Sequence, residues 1–98
     1  MKITNKILLE QFTLKHAGTI TAVNKWVEIM EDNVFTGHHE LKGIFPTTDY
    51  VGNQRYVFNI KGNRYRFVAV VVFLFEFVEI RLCGTHAEYD KIKDIKNT

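Results

Sequence analysis

A lone cysteine, Cys83, excludes an internal disulfide and any cluster of cysteine metal ligands. It stands in an apolar run, which reads as a small buried side chain rather than a nucleophile. One proline and no low-complexity or repeated stretch leave no obvious linker, so residues 1–98 read as one domain with one core. Charge of one sign is scarce as well: 13 basic and 11 acidic residues give a formal net charge of +2, too little to announce nucleic-acid binding by the chain as a whole. Long hydrophobic runs are missing. The longest, Phe67 to Phe75, is too short to span a bilayer as a helix, and the amino-terminal residues lack a signal peptide's apolar core and cleavage site. No membrane partner is expected, and the cytoplasm is the expected compartment. Phosphate-binding glycine loops and the Gly-x-Ser-x-Gly elbow are absent. His38-His39-Glu40 invites a metal, but adjacent histidines point apart on a helix and the spacing is not that of a zinc helix. No cofactor or metal is expected.

What is present divides the chain in two. Residues 2–4 suit either a short strand or a lead into a helix. From Asn5 to about Lys15, Ile7, Leu8 and Phe12 sit at helical spacings, and His16-Ala17-Gly18 breaks the pattern. Thr19 is placed to cap a second helix by accepting a free backbone N–H. Ile20, Val23, Val27 and Met30, with Trp26 beside them, carry that helix to about Asp32-Asn33. A short turn or helix around Glu40-Leu41-Lys42 precedes Gly43, and Phe45-Pro46 opens an extended connection. The period then changes. Arg55 to Ile60 reads as a strand, Lys61-Gly62-Asn63 as a hairpin turn, and Arg64 to Phe73 or Leu74 as a long strand. Glu76 to Cys83 reads as the next strand, ended by Gly84, with Thr85 capping a short helix from Ala87 to Ile92. The fold class is α+β, with helices on one face of an antiparallel meander.

Between Tyr50 and Phe75 there are four basic residues, Arg55, Lys61, Arg64 and Arg66, and no acidic one, interleaved with seven aromatics. A phosphate-rich single strand favours such a strip; an ordinary sheet with aromatic inner positions and basic outer ones gives the same pattern. Arg64 and Arg66 open a strand that is apolar on both sides, so they fall where the sheet meets solvent, and arginine suits a forked grip on phosphate there. Beyond the last strand, Gly84 to Asp90 gathers His86, Tyr89, Glu88 and Asp90 within a few residues. Histidine is the natural group for proton transfer near neutrality. Glu88 and Asp90 read as residues favoured by a helix dipole, with Glu88 close to His86. His16 is isolated and expected on the surface.

Tyr56-Val57-Phe58-Asn59-Ile60, Gly62-Asn63-x-Tyr65-Arg66, Ile80-Arg81 and Thr85-His86-x-Glu88-Tyr89-Asp90-Lys91 together resemble the HigB family of toxin–antitoxin toxins in the RelE superfamily. The resemblance is dense from about Leu41 to Ile92. It implies a RelE-like fold: two N-terminal helices packed on a twisted antiparallel sheet, then a short C-terminal helix. It implies metal-free cleavage of mRNA, on the translating ribosome, and neutralisation by a helix-turn-helix antitoxin of the HigA kind. It further implies that Arg66 contacts the scissile phosphate, that His86 acts in catalysis, and that Tyr89 supplies an aromatic hydroxyl. Arg55, Lys61, Arg64 and Arg81 are the expected RNA contacts. The competing expectations are a non-catalytic RNA- or ribosome-binding translation regulator, a groove serving only a protein partner, and a toxin fold that has lost activity.

Overall fold

The structure is a computed structural model that describes residues 1–62 and 64–98. Its sheet has five strands in the order β1-β5-β4-β3-β2: β1 (Lys2–Thr4), β2 (Asp49–Gly52), β3 (Arg55–Ile60), β4 (Tyr65–Val72) and β5 (Phe77–Thr85). Strands β2 to β5 pair antiparallel as neighbours, and β1 adds a parallel edge against β5, with Ile3 opposite Val78. Four α-helices accompany it: α1 (Ile7–Lys15), α2 (Ile20–Asp32), α3 (His38–Ile44) and α4 (His86–Asp90). The α+β layout read from the sequence is therefore what the chain adopts.

Period-2 alternation divides β4 between two faces. Phe67, Ala69 and Val71 join Tyr56, Phe58, Ile60, Val78 and Ile80 in the main hydrophobic cluster, on the face that α1 and α2 cover. Helix α1 contributes Leu9 and Phe12, while Ile7, expected inward, is exposed; α2 contributes Val23, Trp26 and Met30, at steps of three and four. Trp26 meets Phe58 and Phe67 edge-on at 5.3 and 5.5 Å, and Phe12 meets Phe67 at 5.4 Å. Such crossed rings place a positive edge against a negative face.

The other face also runs in rows across the sheet. Asn59, Arg66 and Gly84 lie side by side at its end, then Val57, Val68 and Leu82, then Arg55, Val70 and Glu79. Val57 and Val68 are buried although they lie outside the helix-side cluster. The chain after α4 returns across this side, tied down by Asn53 Nδ2 donating to the Lys96 carbonyl and by two arginines on Thr98. With Val68 and Val70 on this side and Phe67, Ala69 and Val71 on the other, β4 is apolar on both sides, as its sequence reads.

Several boundaries differ from expectation for identifiable reasons. Thr19 occupies the N-cap position of α2 without capping it; its hydroxyl instead donates to the His16 carbonyl at 2.6 Å, and the residue is buried. Strand β2 was read only as extended connection. It is short and half-exposed, and its two-residue turn to β3 has Asn53 and Gln54 both left-handed, at φ +49° and +65°. That is the mirror-type hairpin turn, written with glutamine where glycine is the usual signal. Strand β5 runs on through Gly84, which pairs with Arg66, to Thr85, and the next helix starts at His86. In the β3–β4 turn, Lys61 and Gly62 take left-handed φ values of +53° and +71°, natural for glycine and uncommon for lysine, while Asn63 lies outside the described residues.

Candidate active site

The end of the sheet where β4 begins and β5 stops gathers the side chains expected to act in catalysis. Arg66, the second residue of β4, faces away from α1 and α2 and sits opposite Gly84. One residue past Thr85, the backbone turns into α4, and a capping box fixes that turn. The Thr85 hydroxyl accepts from the Glu88 backbone N–H at 3.1 Å, and the Glu88 carboxylate accepts from the Thr85 N–H at 2.9 Å. Accepting the Thr85 N–H, with the Thr85 side chain adding to it, holds the Glu88 carboxyl below its ordinary range. Gly84 matters here because of space: a Cβ at that position would lie 3.3 Å from Glu88 Cβ and 3.4 Å from its carboxylate. Glycine thus lets the cap fold back over the strand, and a further hydrogen bond, His86 N–H to the Arg64 carbonyl at 3.2 Å, ties α4 to the β4 side.

The cap delivers His86, Tyr89 and Asp90 to Arg66. An Arg66 terminal nitrogen lies 2.8 Å from His86 Nε2, and His86 Nδ1 lies 2.9 Å from an Asp90 carboxylate oxygen. A guanidinium has donors only. The Arg66 contact therefore makes His86 Nε2 the acceptor, leaves the ring proton on Nδ1, and has Nδ1–H donating to Asp90. The Tyr89 ring completes the arrangement, with the Arg66 guanidinium carbon 4.7 Å from its centroid, within cation–π range. His86 and Asp90 are 42% and 58% exposed, so the pair contributes little stability; what it fixes is the orientation of the ring.

Of the three expected catalytic residues, Arg66 thus contacts both of the others, His86 and Tyr89. Asp90 was not anticipated in this role: Glu88 was expected beside His86, and Asp90 takes that place instead, four residues on along the helix. The i, i+4 spacing was the available signal.

The expected RNA contacts divide. Arg64 is exposed one residue before β4, and Lys61 in the same turn donates to the Gly18 carbonyl at 3.1 Å. Arg55 lies opposite Val70 rather than Arg66, roughly 13 Å farther along the strand at about 3.3 Å per residue. Its guanidinium donates to the main-chain oxygens of Asn53 and Thr98. Arg81 donates to Thr98 at 3.0 Å and to the Glu79 carboxylate at 2.8 Å. The structure therefore does not bring Arg55 and Arg81 to the Arg66 cluster.

His16 is half-buried rather than free on the surface, its ring 5.0 Å from Phe12 and 5.1 Å from Tyr65. His38 bonds the Tyr56 hydroxyl at 3.0 Å. Among the described residues no group of three His, Cys, Asp or Glu side chains is placed to hold a metal ion. No helix among them is long and apolar enough to cross a membrane. Burial pushes the Cys83 thiol up to about 12, which keeps it protonated and unreactive at neutral pH.

Comparison with known proteins gives a family whose match spans this part of the chain. The family model HigB_toxin, described as the RelE-like toxic component of a toxin-antitoxin system, matches residues 19–92. The mRNA interferase HigB of Escherichia coli O6:H1 (strain CFT073) is 27% identical over 94 residues, covering 94% of this chain and 91% of that protein. The mRNA interferase toxin HigB of Escherichia coli K12 is 39% identical over 67 residues, covering 65% of this chain and 64% of that protein. The mRNA interferase HigB of Shigella flexneri matches to the same extent.

Proposed function

The chain belongs to the HigB toxin family of RelE-like toxic components, and from that premise we propose that it is an endoribonuclease that inactivates mRNA on the translating ribosome. The whole of residues 1–98 works as one toxin domain in the cytoplasm, held silent by a helix-turn-helix antitoxin of the HigA kind.

The observation that carries this reading is the contact between Arg66 and His86 Nε2 at 2.8 Å. It puts a phosphate-gripping fork and a basic lone pair at one point. Cleavage driven by the ribose 2′-hydroxyl needs that proton removed, the charge on the phosphorane balanced, and the departing 5′-oxygen protonated. In the proposal, the scissile phosphate takes the place His86 now occupies on the Arg66 fork, and Arg66 stabilises the charge that develops on its oxygens. His86 Nε2, released from Arg66, receives the 2′-hydroxyl proton as general base. Asp90 keeps the ring proton on Nδ1, so that Nε2 is the nitrogen presented to substrate. Tyr89 holds the guanidinium through its ring, and in the proposal its hydroxyl gives the departing 5′-oxygen its proton, to be restored from His86 or water. The products are a 2′,3′-cyclic phosphate and a 5′-hydroxyl end. Arg64 and Lys61 guide the strand at the rim, and Arg55 and Arg81 contribute by holding the 95–98 segment.

The test is to map RNA 5′ ends after brief induction of the wild type, Arg66→Ala and His86→Ala. New 5′-hydroxyl ends inside translated messages, lost in both folded variants, are expected. A folded wild type that slows translation without new ends would instead support a regulator that binds the ribosome without cutting. Full activity in both folded variants would remove Arg66 and His86 from the site.

A further inference from the structure

On the other side of α4 from His86 lies a pocket of about 130 Å³ between α1 and the end of β5. Phe12 and His16 wall it and Cys83 lines its floor, while Gln11, Lys15 and Glu88 stand at its edge. The pocket lies on the α1 face at the end of the sheet where Arg66 faces the other way, and α4 carries Glu88 to the one and His86 to the other. Tyr65, the residue before Arg66, points to this face with its ring 5.1 Å from His16, and Glu88 belongs to the same short helix as His86. The Lys61 bond to Gly18 and the Arg64 bond to His86 draw the turns around one rim.

We propose that this pocket is a nucleobase subsite for the nucleotide flanking the cut, and that Gln11 and Glu88 read a base edge bearing an amino group. The inference rests on the nuclease reading above and supplies its sequence preference. A planar base suits a wedge with ring walls, since stacking on aromatic side chains tolerates any base. The Cys83 floor is uncharged, because burial holds that thiol protonated. Discrimination then comes from the edge. Glu88 spends one carboxylate oxygen, Oε1, on the Thr85 N–H; a carboxylate accepts through both oxygens, which favours guanine, adenine or cytosine amino groups over the carbonyl edge of uracil. Gln11 adds an amide able to donate and accept. Lys15 lies close enough to lower the Glu88 carboxyl through its field, and its ammonium is placed to meet the phosphate of the same nucleotide.

The decisive variant is Glu88→Gln. Glutamine keeps the capping box, so α4 stays in place while the anionic acceptor is lost. Gln11→Ala and Lys15→Ala change exposed side chains and accompany it, with Trp26 fluorescence checking the fold. Cut-site profiles are read by 5′-end mapping in cells. Glu88→Gln and Gln11→Ala should each shift base preference at one fixed position beside the cut, by about tenfold, with cutting retained. Lys15→Ala should raise the RNA concentration needed for half-maximal rate and leave the maximal rate in place. A wild-type profile with uracil disfavoured nowhere near the cut, or the same profile in all three variants, overturns the subsite and leaves the nuclease standing. A wild type that produces no cuts overturns both.

Discussion

At the scale of single residues, the site turns on which nitrogen of His86 carries the proton. Arg66 can only donate, so it selects the tautomer with Nε2 bare, and Asp90 holds the complementary proton on Nδ1. Asp90→Asn should therefore slow cleavage by about 10- to 100-fold, through loss of the fixed ring, while His86→Ala should cost about 100- to 10,000-fold. Single-turnover rates on a bound message separate the two, and RNA affinity should barely change in either. Asp90→Asn at wild-type rate would make the Asp90 contact ornamental. Arg66→Lys keeps a positive charge but gives up the fork and the planar stack on Tyr89, so it should fall nearly as far as Arg66→Ala. Cys83 offers a control of a different kind. With its thiol pushed up to about 12, native protein at pH 8 should resist iodoacetamide, and unfolded protein should be alkylated promptly. That Arg66 comes together with His86 and Tyr89 was legible in the sequence because a family pattern singled out these residues. Asp90 was not, because an acidic residue near the start of a helix already has an explanation in the helix dipole.

At the scale of elements, α4 is five residues long, too short to persist without support. Its capping box supplies that support, and the side chains proposed for catalysis, His86 and Tyr89, ride on it. Thr85→Ala should cost about 1 kcal/mol and should lower the cleavage rate more than it lowers RNA binding, since His86, Tyr89 and Asp90 lose their common frame. The cap also predicts a pH response. Because the Glu88 carboxyl is lowered in the folded state, the stability it contributes is present above the ordinary carboxylate range and is lost as pH falls through the folded value. Protection of the Thr85 and Glu88 amides, relative to their intrinsic exchange, should accordingly fall once pH drops below the ordinary carboxylate range, while the β4 and β5 amides stay protected. Glu88→Gln should flatten that response, and an unchanged acid profile in Glu88→Gln would detach it from the cap. Element boundaries were read well where period and turn residues agreed, as for β3, and poorly where one residue serves two needs. Gly84 looks like a strand terminator but pairs with Arg66 and makes room for Glu88. Strand β2 lacked a clean alternation, and its turn uses Gln54 at a left-handed position.

At the scale of the molecule, the sheet separates two tasks. One face holds the ring cluster around Phe67, where Phe67→Ala should cost about 3–5 kcal/mol, a large share of the roughly 5–15 kcal/mol that holds a domain together. The other face holds Arg66 at one end and the 95–98 segment at the other, and the positive residues distribute between these ends. Composition could not foresee that division, because an arginine that clamps main-chain oxygens and one that grips phosphate look alike in a sequence. Ion release tells them apart. Each phosphate contact adds close to one unit to the slope of log affinity against log salt, and about 0.7 for single strands. Arg64→Ala should reduce that slope by about one contact's worth. Arg55→Ala with Arg81→Ala should leave the slope unchanged and instead free the segment, seen as faster exchange or proteolysis near Lys96 and Thr98. If the double variant lowers the slope by two contacts' worth with residues 95–98 still protected, the arginines bind RNA and the clamp is incidental. If it loosens the segment at constant slope, the sheet's far end serves to hold residues 95–98 through Arg55 and Arg81, and RNA is gripped only at the rim that Arg64, Arg66 and α4 share.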